Sequence, residues 1–575
     1  MGRVVAIGLD SGSRTLVDVL ARQGVLPELG RLRPRAARYS LRSGPAHRHG
    51  MLWPQFVTGR AARFDGDWLR LTFDRDTYEV FQEPARDRTG GSPPFWDRAG
   101  ARTVVFDVPR TTCGGPGVQV TAWGGHAPLY PRAANPPGLL DEVDARFGVH
   151  PAFGNDYGCG WHDERRVERL TGALVEGARR RARIALHLQE RFPSELFVTV
   201  MSETHSLSEF AWHGVDDAHP LAHERGAHAA RQLTRVYRAI DRAIGELVAH
   251  AHDAHVVVFS LDGMRAGHGD LASIVLLPEL MHRLAFGRGL LRDPDHESWR
   301  RAGYPVVVPR RARPWRLTMD EYLVDRPRAG FGAAVKRHPL YHAARVGAPA
   351  RTLLSRVKHV PHGVLGLPIP REWHDETGGV LPRESTREML FIGHYQPYWE
   401  HMRAFALPTF GDGYVRVNLA GRDRHGVVAR DEFGRACAEV ETMLAAIRNP
   451  RTGHAAVLDV ERVDGGPYDP AVDRYADLVV RWSEPIDAFE HPDVGIVGPF
   501  PLHRTGTHAD GGFAWIAGPG VAPGDHGEAS VLDLPPTILG LLRRPVPADV
   551  VGSPLAGTRA PAGAARVPSV SGTGR

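Results

Sequence analysis

The sequence is poor in sulfur. Three cysteines, Cys113, Cys159 and Cys437, are spread over 575 residues. They form no C-x-x-C pair, which excludes a cysteine-rich zinc site and a disulfide framework. Lysine is nearly absent too. Of 71 Lys and Arg residues, only Lys336 and Lys358 are lysine. No basic run is interleaved with aromatics, so a net charge of +5 and a pI near 9.2 do not signal a nucleic-acid partner. The richness in Arg, Ala, Gly and Pro reads instead as the codon bias of a GC-rich genome. No apolar run is long enough to span a bilayer, so no membrane partner is expected. No internal repeat is found. The N-terminus enters an apolar strand within a few residues and leaves no room for a signal peptide, so the cytoplasm is the expected compartment.

What is present is an ordinary globular composition, 42% hydrophobic and 24% charged, on a chain longer than one typical domain. It opens on Arg3-Val4-Val5-Ala6-Ile7-Gly8-Leu9-Asp10, followed by Ser11-Gly12-Ser13. This reads as a short strand buried on both faces that stops on a carboxylate. Leu16, Val17, Val19 and Leu20 follow with helical spacing. An acid at the end of a first parallel strand sits where open α/β sheets bind ligands. The plainer reading is a cap for the helix that follows.

Further buried strands are expected at 103–108, 196–201, 255–261 and 513–517, with weaker ones at 119–122, 415–418 and 478–480. Long amphipathic helices are expected at 165–189 and 231–251. Alternating strands and helices predict an α/β fold, doubly wound, with a mainly parallel sheet and helices on both faces. Residues 1–280 and 405–553 read as a discontinuous core. Residues 281–404, where strand signals fail, read as an inserted cap or lid. Residues 554–575, rich in Ala, Gly, Ser and Pro, read as a disordered tail.

Four polar stretches adjoin the expected strands: Asp10; Ser202-Glu203-Thr204-His205, continuing to Glu209; Ser260-Leu261-Asp262-Gly263; and Arg504-Thr505-Gly506-Thr507-His508. A parallel sheet gathers its strand ends at one edge. Asp, Glu and His are ligands for a divalent ion. Singly, each is more often a cap or a solvated residue.

In this order they resemble the alkaline phosphatase superfamily, especially its branch of type I phosphodiesterases and nucleotide pyrophosphatases. Residues 4–10 with Val25-Leu26-Pro27-Glu28-Leu29 are similar to that branch's opening "IGLDG…G.LPNL". Trp53-Pro54-Gln55-Phe56-Val57-Thr58-Gly59 resembles its "W.xxLTG". Ser260-Leu261-Asp262-Gly263-Met264 stands where it has "SDHGM". Tyr414 to Arg422 resembles "R.NL.GRE". Thr505-Gly506-Thr507-His508 with Gly518-Pro519-Gly520 resembles "G.H…GPG", and Val531 to Leu539 resembles "DIAPTLL".

The resemblance implies an alkaline phosphatase-like fold and a metal site of Asp10, His205, Glu209, Asp262 and His508. The metal is expected to be zinc first, with Mn²⁺ or Mg²⁺ as alternatives. Two departures stand out. Leu261 replaces a ligand Asp. The place of the nucleophilic Thr falls on His49, close to His47; Ser43 is the nearest upstream hydroxyl, and Ser11 and Ser13 flank the Asp10 turn. His47 and His49 are therefore candidate bases, and Arg14 and Arg504 candidate anion clamps. The expected function is a metal-dependent hydrolase or transferase acting on a small phosphate or sulfate ester. The alternative is a repurposed or inactive member that binds a ligand or runs non-hydrolytic chemistry in a biosynthetic pathway.

Overall fold

Val4, Val5, Ala6, Ile7 and Leu9 are all fully buried, as an apolar strand with no polar alternation requires. Val4 and Ala6 point to one face, among Trp53, Phe56 and Ile538. Val5, Ile7 and Leu9 point to the other, among Leu174, Leu233 and Ile240. The first strand thus organises two cores, one on each side of a sheet. The structure is a computed structural model. It describes residues 2–44, 51–61, 71–82, 92–124, 132–153, 160–267, 269–309, 315–325, 384–385, 391–409, 411–463, 475–484 and 486–558. The tail from 559, most of the expected cap, and His47 and His49 lie outside the described residues.

The principal elements in the N-terminal half are β1 (Val4–Leu9), α1 (Arg14–Arg22), β2 (Ala37–Arg42), β3 (Thr103–Phe106), β4 (Val118–Thr121) and β5 (Ala133–Asn135). Then come α2 (Glu164–Arg191), β6 (Leu196–Met201), α3 (Glu203–Ala211), α4 (Ala222–His250), β7 (His255–Ser260) and β8 (Gly263–Ala266). The C-terminal half has β9 (Ala404–Leu407), β10 (Gly413–Val417), β11 (Val457–Arg462), β12 (Leu478–Trp482), β13 (Gly506–Ala509), β14 (Gly512–Ala517), β15 (Gly524–Ser530) and α5 (Leu534–Leu542).

The main sheet has nine strands in the order β15-β2-β14-β7-β1-β6-β3-β4-β5. β7, β1, β6, β3 and β4 run parallel. β14 is antiparallel to both of its neighbours, β7 and β2. The fold is α/β, with α2 and α4 on one face and α5 on the other. Helix α2 begins where Asp163 caps the backbone N–H groups of Arg165 and Arg166, an ordinary N-terminal stop signal.

The weaker strand signals after residue 405 belong to a separate antiparallel sheet, β9-β10-β12-β11. It has its own core, in which Leu276, Leu280, Phe391 and Trp399 pack with Phe405, Val415 and Val479. Period-2 apolar runs do not say which sheet a strand joins. Among the described residues no helix is long and apolar enough to cross a membrane.

Candidate functional site

The parallel run β7-β1-β6 brings three chain segments to one edge. Asp10 N–H bonds to Met201 O at 3.1 Å, and Thr204 Oγ1 donates to Asp10 O at 2.6 Å. Ser260 Oγ lies 2.7 Å from Leu9 O and accepts from Gly12 N–H at 2.8 Å. These bonds fasten the turn after β1 to the start of α3 on one side and to the end of β7 on the other. His508 arrives from the far end of the chain. Its strand β13 pairs antiparallel with β8 and sets it opposite Met264.

Helix α3 is buried throughout. His205 and Glu209, four residues apart, share one face of it, and His205 Nε2 lies 3.3 Å from Glu209 Oε1. The imidazoles of His205 and His508 lie with ring centroids 4.6 Å apart and planes tilted by 60°. One ligand atom each from His205, Glu209 and His508 falls within 4.8 Å of the others.

The two aspartates meet the same rings. Asp10 Oδ2 is 3.1 Å from His205 Nδ1, and its Oδ1 accepts from Trp53 Nε1–H at 2.8 Å. Asp262 Oδ2 is 2.7 Å from His508 Nδ1, and Ser11 Oγ is 3.0 Å from that nitrogen. Arg504 pairs with both Glu209 and Asp270, and His503 Nδ1 lies 3.2 Å from Asp270.

Of the residues expected to act together, Asp10, His205, Glu209, Asp262, His508 and Arg504 meet here. Arg14 is an exposed residue of the first turn of α1. Ser43 donates to Leu261 O at 2.6 Å, and its N–H bonds to Asp510. Leu261 is itself core, packed with Phe259 and Trp53. Trp53 Nε1, Ser11 Oγ, Asp270 and His503 were not foreseen in these roles. Trp53 stands in a motif, but the motif does not say that its indole N–H reaches Asp10.

Glu203 faces away from the cluster. Its Oε1 accepts from Arg181 Nε at 3.0 Å and lies 3.1 Å from His150 Nε2. Arg181 also reaches Asp107 at 2.8 Å and Ser202 at 3.1 Å. Its guanidinium lies over the rings of Phe106 and Trp123. Burial by itself would raise the Glu203 pKa. The Arg181 charge and the His150 bond outweigh it and pull the pKa down to about 2.

The donor set fits a divalent ion. Two imidazoles and one carboxylate suit Zn²⁺ and leave a coordination position open. A neutral ring that gives its Nδ1–H to a carboxylate keeps Nε2 as a lone-pair donor. Asp10, Glu209, Asp262 and Asp270 are all buried, and carboxylates gathered around two imidazoles are the donor types that a divalent ion takes.

Fold and site together define an α/β protein with a histidine–carboxylate centre at a sheet edge. No family model and no curated protein matches the sequence. Among solved structures, the chain is similar to phosphonoacetate hydrolase from Sinorhizobium meliloti 1021 in complex with phosphonoformate. The TM-score is 0.43 and the identity 13%, over 94% of this chain and 95% of that one. It is also similar to murine ectonucleotide pyrophosphatase/phosphodiesterase 5, with a TM-score of 0.41 and 11% identity, over 95% and 96% of the two chains.

Proposed function

We propose that this chain is a metal-dependent hydrolase or transferase acting on a small phosphate or sulfate ester. The observation that carries the reading is the convergence of His205, Glu209 and His508 within 4.8 Å. These three would hold the ion, Zn²⁺ first and Mn²⁺ or Mg²⁺ as alternatives. When bound, such an ion supplies Lewis-acid polarisation of the ester oxygen and acidifies a bound water.

The protein's own part is orientation and charge. Asp10 and Asp262 hold the imidazoles. Arg504 places a fixed positive charge beside Glu209, and Arg14 adds an exposed one next to the Asp10 turn, both suited to an anionic substrate. His47 and His49 are the proposed bases. Residues 281–404 are the proposed cap over the core, and the cytoplasm the proposed location. A repurposed, non-hydrolytic chain is the second reading, favoured by Leu261, which is core where the family pattern has a ligand.

The test is metal content after dialysis against Zn²⁺, followed by turnover of bis(p-nitrophenyl) phosphate and p-nitrophenyl sulfate. Wild type is expected to retain stoichiometric metal, and His508→Ala to lose both metal and turnover. A folded wild type without metal refutes the reading. Firm metal without turnover of either ester favours the second.

A further inference from the structure

We infer that Asp10, Asp262 and Ser11 are positioning residues for the two imidazoles rather than metal ligands, so that the centre takes one ion and not two. The inference rests on the metal-dependent reading above. Three observations support it.

The first is the pairing of the rings. Each aspartate presents its Oδ2 to an Nδ1, at 3.1 Å for His205 and 2.7 Å for His508. The other oxygen of Asp10 already accepts from the Trp53 indole. A carboxylate on Nδ1 fixes ring orientation and tautomer and raises the basicity of the remaining nitrogen. Both rings of the cluster have this arrangement.

The second is Leu261. The residue between β7 and Asp262 sends its side chain into the apolar core, so this position gives no donor to a second ion.

The third is Ser11. Its φ is +51°, in the left-handed region where a side chain is strained and glycine is not. It is fully buried, and its hydroxyl lies 3.0 Å from His508 Nδ1, the nitrogen that also faces Asp262. Strain of this kind persists where the surrounding structure and the function of a site require it. Here the strained residue gives the His508 ring a second polar neighbour on its Nδ1 side.

The experiment is a Co²⁺ titration of the full chain, read by d–d absorption and by metal analysis, on wild type and on Asp262→Asn, Asp10→Asn, Ser11→Gly and Ser11→Ala. Wild type is expected to saturate at one equivalent. Each aspartate variant should still saturate at one, with Kd weakened roughly 10- to 100-fold, the range for an orienting partner. Ser11→Gly should weaken Kd by about 10-fold while its Tm stays level or rises, because the strain is released. Ser11→Ala keeps the strain and should weaken Kd with a lower Tm than Ser11→Gly.

Two equivalents in wild type, falling to one in Asp262→Asn or Asp10→Asn, would make the aspartates ligands and overturn this inference alone. No metal in wild type overturns the functional reading as well. An unchanged Kd in Ser11→Gly overturns the Ser11 assignment. If an aspartate variant fails to fold, the wild-type stoichiometry and Ser11→Gly still decide.

Discussion

Replacing Glu203 by Gln keeps the shape of the side chain and removes its charge. In the folded protein the Glu203 pKa is about 2, against an ordinary 4.5. The difference is worth about 3 kcal/mol of stability, at 1.36 kcal/mol per unit. That agrees with the cost of breaking a buried ion pair, about 3–5 kcal/mol.

The sign follows from the depressed pKa. The contribution is complete above about pH 4.5 and is lost as pH falls toward 2. By pH 3 about 2 kcal/mol of it should be gone. Wild type and Glu203→Gln should therefore differ most at pH 7 and converge on acidification. A chain with several cores need not unfold in one step. The assay is native-state hydrogen exchange at the amides of α3 and β6, which reads local opening free energies. Equal protection of the two proteins at pH 7, or a gap that stays constant down to pH 3, would refute the claim that the Arg181 pair anchors the start of α3.

Three further outcomes follow from the structure. His213 is buried, and burial first, then the nearby His219, Arg225 and His228, push its pKa down to about 3. The unfolded chain takes up this proton below about pH 6.5 and the folded chain does not, so wild type should lose about 2 kcal/mol from this residue by pH 5. His213→Gln should flatten that limb of a stability–pH curve, and an unchanged slope would count against it. Gly177→Ala should destabilise by about 1–3 kcal/mol despite the better helix propensity of alanine. A Cβ there would stand 2.1 Å from His150 Nε2; a raised Tm would show that the ring moves aside freely. Leu261→Asp should lower Tm sharply without adding metal, since it puts a carboxylate into the core. A folded variant with extra bound metal would place residue 261 at the site instead.

Much of the site was legible because its parts follow simple periods. A short apolar run, β-branched at Val4, Val5 and Ile7 and ending on Asp10, reads as a strand buried on both faces. His205 and Glu209, four apart on a helix, had to share a face. The same geometry explains what was not legible. Residues 203 and 205 are about 200° apart around a helix, so Glu203 points to Arg181 while His205 points to the cluster. That assignment needs the rotation of the helix, which acidic residues alone do not reveal. Whether Asp10 and Asp262 approach a metal or a ring nitrogen is a matter of an ångström or two, below anything spacing encodes. The sheet that β10 and β12 join depends on long-range packing, and nothing local announces it.

The position of β14 has a consequence for how the chain comes to be made. It lies inside the sheet, between β2 and β7, yet about 250 residues separate its first residue from the end of β7. At translation rates of about 5–20 residues per second, that interval is roughly 13–50 s. During it, β7 and β2 are present without the strand that joins them, and each offers an unsatisfied edge. The nascent protein is thus an incomplete sheet with open margins throughout that interval. A prematurely terminated chain would keep those margins and lack His508. β14 is the keystone: until it is made, the two parts of the sheet on either side of it cannot be joined.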